Sequence, residues 1–258
     1  LRKTMRVATK VLLTGAACFL SIAHADSPSI GLGVSKLTYR EPSLGVTHDA
    51  WLPTLQGRWA PDGWQHAQWP VVLEGQVAKG HGDYVGTGTM SHQPIHLFEF
   101  QLKSPQSHWI EGYQLSPGLG YRHFYNDARG YTSTGEQGYR RTTEYGYASV
   151  GAEEMARVGW RWVGQFRYLL LGRQTTQLGD ISGSVGELGT VQNIQRRGYG
   201  LSLGMCKTLD TFDVCPGVDY WRIADSDTVS RRLNGATYLL TEPANSTTTF
   251  QLLIHHKF

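Results

Sequence analysis

From residue 157 to 171 the side chains alternate between two chemistries. Val158, Trp160, Trp162, Gly164, Phe166, Tyr168 and Leu170 fall on one side of an extended chain, and Arg157, Gly159, Arg161, Val163, Gln165, Arg167 and Leu169 on the other. Successive side chains of a β-strand point to opposite faces, so this segment predicts a strand with one aromatic face and one arginine-bearing face. A soluble sheet rarely accepts both faces unless the arginine side is wet. The chain ends in the same style. Phe250, Leu252, Ile254 and Phe258 share a side with one exception, His256, while Thr249, Gln251, His255 and Lys257 take the other. An ordinary edge strand could carry this second pattern alone, so the remaining segments have to decide.

Arg2, Lys3, Arg6 and Lys10 precede an apolar run from Val11 to Ile22, which closes on Ala23-His24-Ala25 before Asp26. This is the pattern of a secretory signal peptide over residues 1–25, leaving 26–258 as one mature unit. The apolar run is shorter than the roughly 20 residues of a spanning helix, and no later stretch approaches that length. Cys18 raises a lipoprotein alternative, which Gly15 three residues earlier disfavours. Without the leader, 20 basic residues face 21 acidic ones, which removes any general electrostatic case for a nucleic-acid partner. The 31 glycines, 13 tyrosines and 8 tryptophans favour β structure. Export makes a Cys206–Cys215 disulfide the default. No further Cys or nearby His completes a metal site around them, and no metal or other cofactor is expected.

Ten segments read as strands, near 30–40, 51–60, 70–82, 94–103, 111–126, 142–152, 157–171, 193–206, 212–225 and 246–258. The connections 41–50, 83–93, 127–141, 172–192 and 226–245 are mostly long, polar and rich in Gly, Ser or Thr, whereas 61–69, 104–110, 153–156 and 207–211 are short. Long and short alternate throughout, as in a closed up-and-down barrel with both termini on one side. Strand 51–60 sets Trp51, Pro53, Leu55 and Trp59 outward against Thr54, Gln56 and Arg58, and strand 111–126 sets Tyr113, Leu115, Leu119 and Tyr121 against Gln114, Ser116 and Arg122. The phase is poorer at 30–40 and 142–152, and a bulge near Ser35-Lys36 would repair the first. A turn around Asp210-Thr211 pairs Cys206 directly with Cys215 on the lumen side and sets Arg196 across from Asp225. Asn234-Gly235 signals a two-residue hairpin turn. It predicts a tall ribbon that continues the last two strands, interrupted at Pro243.

The leader, the even strand count, the aromatic girdles and the terminal Phe258 make the chain resemble bacterial outer-membrane β-barrel proteins over essentially its whole mature length. The resemblance implies an all-β fold: a closed antiparallel up-and-down transmembrane barrel of ten strands, with eight or twelve as alternatives, in the outer membrane of a Gram-negative cell. It implies lipid and lipopolysaccharide as partners. It also implies delivery to the barrel-assembly machinery through the last strand, where Gln251 and Phe258 match the usual tag. Leu253 stands where glycine is common, and His256 where an apolar residue is expected. Trp59, Trp109, Trp160 and Phe258 would form the inner girdle and Trp51, Tyr121, Tyr168 and Tyr220 the outer one. The ten-stranded omptin proteases carry an aspartate pair and an Asp-His dyad across the mouth. Here His81 and Asp83 lie near the second outer loop, but no histidine accompanies Asp180 in the fourth, so that site is not assembled. Nor does His123, His255 or His256 sit in a His-Ser pair of the kind used by outer-membrane phospholipases and lipid A deacylases.

Strand phase assigns Arg58, Lys103, Arg122, Arg157, Arg161, Arg167, Arg196 and Lys257 to the lumen, together with Glu74, Glu99, Glu144, Asp213 and Asp219. Charges this dense inside a narrow cylinder must pair or stay hydrated. The leading expectation is a plug of salt bridges in a surface-exposed structural or interaction protein, because barrels of about eight strands are filled by side chains. One alternative is a porin-like, narrow and weakly anion-preferring channel lined by surplus arginines. A second is a hydrolase at the rim, where His81, Asp83, His123 and Asp127 would meet as an acid–base cluster. Arg140-Arg141 and Arg231-Arg232, in the outer loops, are candidates for lipopolysaccharide phosphates.

Overall fold

The computed structural model describes residues 25–61, 71–104, 108–110, 113–154 and 159–258. The first half contains β1 (Ala25–Glu41), β2 (Val46–Pro61), β3 (Val72–Val85), β4 (Thr89–Lys103), a short β5 (His108–Ile110), β6 (Tyr113–Tyr131) and β7 (Gln137–Glu154). The second half contains β8 (Trp160–Gln177), β9 (Thr190–Gln195), β10 (Gly198–Leu209), β11 (Phe212–Ile223), β12 (Thr228–Leu233), β13 (Ala236–Thr241) and β14 (Asn245–Lys257). Ten of them close one antiparallel barrel in the order β1-β2-β3-β4-β6-β7-β8-β10-β11-β14, with β14 paired back onto β1. β9 prolongs β10 beside the outer half of β8, and β5 flanks the inner end of β6. The twelve-strand alternative fails because β13 pairs only with β12, in a separate two-stranded sheet. All of the predicted leader except Ala25 lies outside the described residues.

Outward side chains form an apolar wall. Leu119 is 59% and Phe250 60% exposed, and Leu32, Trp51, Leu55, Phe166 and Leu201 are similarly bare. A contiguous apolar circumference of this kind is incompatible with water and suited to lipid.

The strands outrun their predicted ends on the outer side. Most of 41–50, 83–93 and 127–141 is strand, and the turns shrink to Pro42–Leu44 with Gly45 at φ 65°, to residues 86–88 and to residues 132–136. Apolar alternation stops where lipid stops, but the hydrogen-bonded ladder continues into water. The tall ribbon is present as β12 and β13, joined at Asn234-Gly235 with φ of 50° and 80°. It leans on β9, whose Asn193 side-chain amide donates to the carbonyls of Asp227 and Leu240 at 3.0 Å each.

No bulge occurs at Ser35-Lys36. β1 keeps one register from Ser29 onward against both neighbours, and its irregularity lies between Asp26 and Ser29. The phase of 30–40 is obscured for another reason: part of the lumen is itself apolar. Leu37 and Tyr39 point inward and pack with Ala50, Leu52, Ala78, Ile95 and Leu97. On the facing wall Tyr145, Tyr147, Leu169, Trp221 and Ile223 form a second inward cluster, which explains the weak phase of 142–152. A lumen wet throughout is therefore corrected to one with an apolar layer, each buried leucine contributing about 1.5–3 kcal/mol.

Cys206 and Cys215 face each other across the β10–β11 hairpin and are disulfide-bonded, with Cα atoms 4.2 Å apart, and both pack on buried Leu253. Asp210 takes φ 56° in the turn. Closing so small a loop is worth about 2–3 kcal/mol of unfolded-chain entropy. On heat-modifiable gels the folded band is expected to disappear at a lower temperature with reductant than without, and Cys206→Ser should reproduce that shift. Identical melting in all three samples would mean that the bond carries no stability.

Candidate functional site

The lumen is built in layers. Nearest the inner end, Glu74 lies between Lys103 and Arg58, the latter at 3.7 Å, and Arg161 bridges Glu153 at 2.9 Å and Asp213 at 3.4 Å. The next layer joins four charges. Arg122 Nη1 donates to Glu99 Oε2 at 2.9 Å and to Asp219 Oδ2 at 3.3 Å, while Arg167 donates to Glu99 Oε1 at 2.9 Å and also to Asp219. Tyr147 Oη donates to Glu99 Oε1 at 2.6 Å, and both guanidiniums lie over the Trp221 ring, at 5.6 and 4.9 Å. Glu99–Arg122 joins facing residues of the neighbouring strands β4 and β6, whereas Glu99–Arg167 links β4 to β8 and Arg122–Asp219 links β6 to β11, so the latter two are chords across the barrel. A cavity of about 100 Å³ remains beside them, lined by Gln56, Gln76, Gln101, Gln165 and Gln251 among others. Above the chords sits the apolar layer.

A larger cavity, about 310 Å³, occupies the outer mouth. Glu41 is only 1% exposed and takes a hydrogen bond from Tyr39 Oη at 2.6 Å. Arg141 reaches it from the facing strand β7. Nδ1 of buried His48 lies 3.0 Å from Asn126 Nδ2. Burial, with Arg141 nearby, pushes His48 down to about 4, so its ring is neutral at physiological pH and its Nδ1 can accept from Asn126. Glu41 Oε2 and Asn126 Oδ1 are buried with no hydrogen-bond partner in the protein.

Among the sequence-predicted residues, Arg58, Glu74, Glu99, Arg122, Arg161, Arg167 and Asp219 meet in the lumen as described. Arg157 and the side chains of Trp109 and Lys257 lie outside the described ones. Arg196 is corrected. A register shift at Gly146/Tyr147 leaves Leu170 of β8 without a partner there, and on the adjacent line Arg196-Arg197 interrupt β9 and β10. The inward phase inverts across this point, from even residues in β10 to odd residues in β9, and Arg196 emerges exposed on the outside. Glu144 is also corrected. With Tyr145 and Tyr147 inward it points outward, where it takes hydrogen bonds from Tyr121 Oη at 2.8 Å and Arg173 Nε at 2.8 Å.

His81 and Asp83 face outward from β3, and His123 and Asp127 face outward from β6, with β4 between them. Asp127 is committed to Arg129 at 2.7 and 2.8 Å, and this guanidinium holds its carboxyl below the usual range. Asp83 accepts the backbone N–H of His92 at 3.3 Å. Among the described residues no hydrogen bond joins the four. His96 of β4, not singled out from the sequence, has His81, His123, Asp127 and Lys79 as titratable neighbours. The pair Arg140-Arg141 is split by strand alternation. Arg140 faces outward and grips Asp180 at 2.7 and 2.9 Å, whereas Arg141 enters the mouth. Arg231 and Arg232 are exposed on the ribbon.

Glu41, His48 and Asn126 escaped the sequence reading because the first two fell in a segment read as a loop. Carrying the odd phase of β1 and the even phase of β2 through 41–50 would have turned both inward.

No protein-family model matches the chain, nor does any curated protein. Solved structures do. The outer membrane protease OmpT from Escherichia coli superimposes with a TM-score of 0.57 at 11% identity, covering 91% of this chain and 97% of that one. The beta domain of the Bordetella autotransporter BrkA gives 0.46 at 12% identity over 90% and 100% of the two chains. The translocator domain of autotransporter NalP from Neisseria meningitidis gives 0.43 at 13% over 97% of each. At these identities the first likeness speaks for the fold alone, and the other two carry no further argument. Ten closed strands and an exterior made for lipid define an integral membrane β-barrel with the fold of Gram-negative outer-membrane barrels.

Proposed function

We propose that this protein acts at the cell surface as a structural or interaction barrel, presenting its outer turns and the β12–β13 ribbon while its lumen stays shut to solutes. The observation that carries the proposal is the Glu99–Arg122–Arg167–Asp219 assembly: two cations and two anions from four strands, tied across the lumen by Glu99–Arg167 and Arg122–Asp219, neutral in sum, with Trp221 across the guanidiniums. An anion pathway needs positive charge left unpaired along the lumen, and in this layer both arginines are already neutralised. Lipid and lipopolysaccharide surround the wall in this proposal, with exposed Arg231 and Arg232 as phosphate contacts, and β14 is the strand offered to the assembly machinery. Planar-bilayer recording tests it. Purified protein is expected to give no stable openings; steady unitary currents whose ion preference changes in Arg161→Glu would replace the closed barrel with a channel.

A further inference from the structure

We infer that the mouth cavity is a binding site for a small organic cation, an ammonium group carried on an apolar or aromatic body. The charge balance of its lining comes first. Glu41 and Glu136 contribute carboxylates and Arg141 the guanidinium, with His48 neutral, so the lining is net negative. Glu242 adds a further negative charge close to Arg141. Arg141 is not available to an incoming anion: it is spent on Glu41 and on Tyr139, whose hydroxyl it meets at 3.0 Å and whose ring it covers at 5.5 Å.

The unsatisfied atoms favour a donor-rich ligand. Among the described residues of the lining, the buried side-chain atoms without a partner are three acceptors, Glu41 Oε2, Asn126 Oδ1 and Gln93 Oε1, against one donor, Gln93 Nε2, in residues 1%, 4% and 2% exposed, and leaving such an oxygen without a donor costs about 1–3 kcal/mol. An ammonium group supplies three donors and no acceptor. Around these oxygens stand Tyr39, Tyr84, Phe124, Tyr139 and Met90, a wall that suits an apolar body and offers ring faces to a cation. Tyr39 and Phe124 are stacked at 6.0 Å and His48 and Tyr84 lie 5.1 Å apart, so the wall is held in place. The volume matches the smallest ligand sites, about 300 Å³. Leu44, Thr87 and Glu136, in or beside the outer turns, form the lip and open the cavity to the outside.

The test titrates the full-length barrel in zwitterionic micelles by calorimetry with three probes of one shape: tyramine, its neutral counterpart 4-ethylphenol and the anion 3-(4-hydroxyphenyl)propionate. Tyramine is expected to bind saturably at one site, with the other two at least about tenfold weaker, the value of one charge-assisted hydrogen bond. Glu41→Gln should weaken tyramine by about the same factor while keeping the heat-modifiable folded band. If that buried variant fails to fold, Glu136→Gln on the exposed lip and Tyr84→Ala on the wall decide, each expected to weaken tyramine severalfold. No saturable heat with tyramine, equal binding of the three probes, or unchanged affinity in the folded variants would overturn the inference.

Discussion

Replacing Arg167 by alanine should lower the unfolding free energy of the barrel by about 3–5 kcal/mol, the range for stripping one partner from a buried ion pair. Arg167 is 3% exposed and holds both Glu99 and Asp219. Its loss leaves two carboxylates sharing Arg122, on a wall lined by Trp221 and Tyr147 where a lone charge is poorly solvated. Removing Asp219 in the same molecule should return part of the loss, because the remaining Glu99–Arg122 pair at 2.9 Å is balanced. Urea unfolding in micelles, followed by tryptophan fluorescence and gel migration, measures both. A loss of about 1 kcal/mol or less in the single variant, the size seen for exposed pairs, would mean that water already reaches this layer. The closed-lumen proposal would then lose its support.

The degree to which this barrel is legible in its sequence follows the medium each residue meets. Where one face meets lipid and the other meets polar groups, as at Trp160, Trp162 and Phe166 against Arg161 and Arg167, alternation is plain and the facing comes out right. Strand pairing around Cys206 and Cys215 is equally plain, since a two-residue turn and a shared face admit one register. Legibility fails in two places with different causes. Along β1 the apolar residues change sides: Leu32 and Val34 look into lipid, whereas further out Leu37 and Tyr39 look into the lumen with Lys36 and Thr38 outside, so the hydropathy loses its phase although the geometry keeps it. Above the lipid both faces are polar, and strand reads as loop, which hid Glu41 and His48. Arg196 adds a local cause: extrapolated phase cannot see the irregularity at Leu170. The mouth cavity lay in the second blind zone.

These two blind zones lead to a contrast between inside and outside. Trp221→Ala should destabilise the protein by about 3–5 kcal/mol, as for other large-to-small changes at fully buried aromatics. Trp221 is 1% exposed, stacks on Tyr145 at 5.8 Å, meets Tyr147 edge-on at 5.2 Å and supports both arginines, so its removal loosens the apolar layer and the charged layer together. Leu119, 59% bare on the outer wall, should tolerate alanine far better, yet Leu119→Arg should cost about 2–4 kcal/mol because lipid, unlike water, rejects the charge. A water-exposed leucine would accept arginine at almost no cost. Refolding titrations of the three variants in lipid vesicles give the comparison directly. A negligible effect of Leu119→Arg would remove the outward face from the bilayer, whereas a negligible effect of Trp221→Ala would leave the lumen without a packed core, its shape held by backbone hydrogen bonds and ion pairs alone.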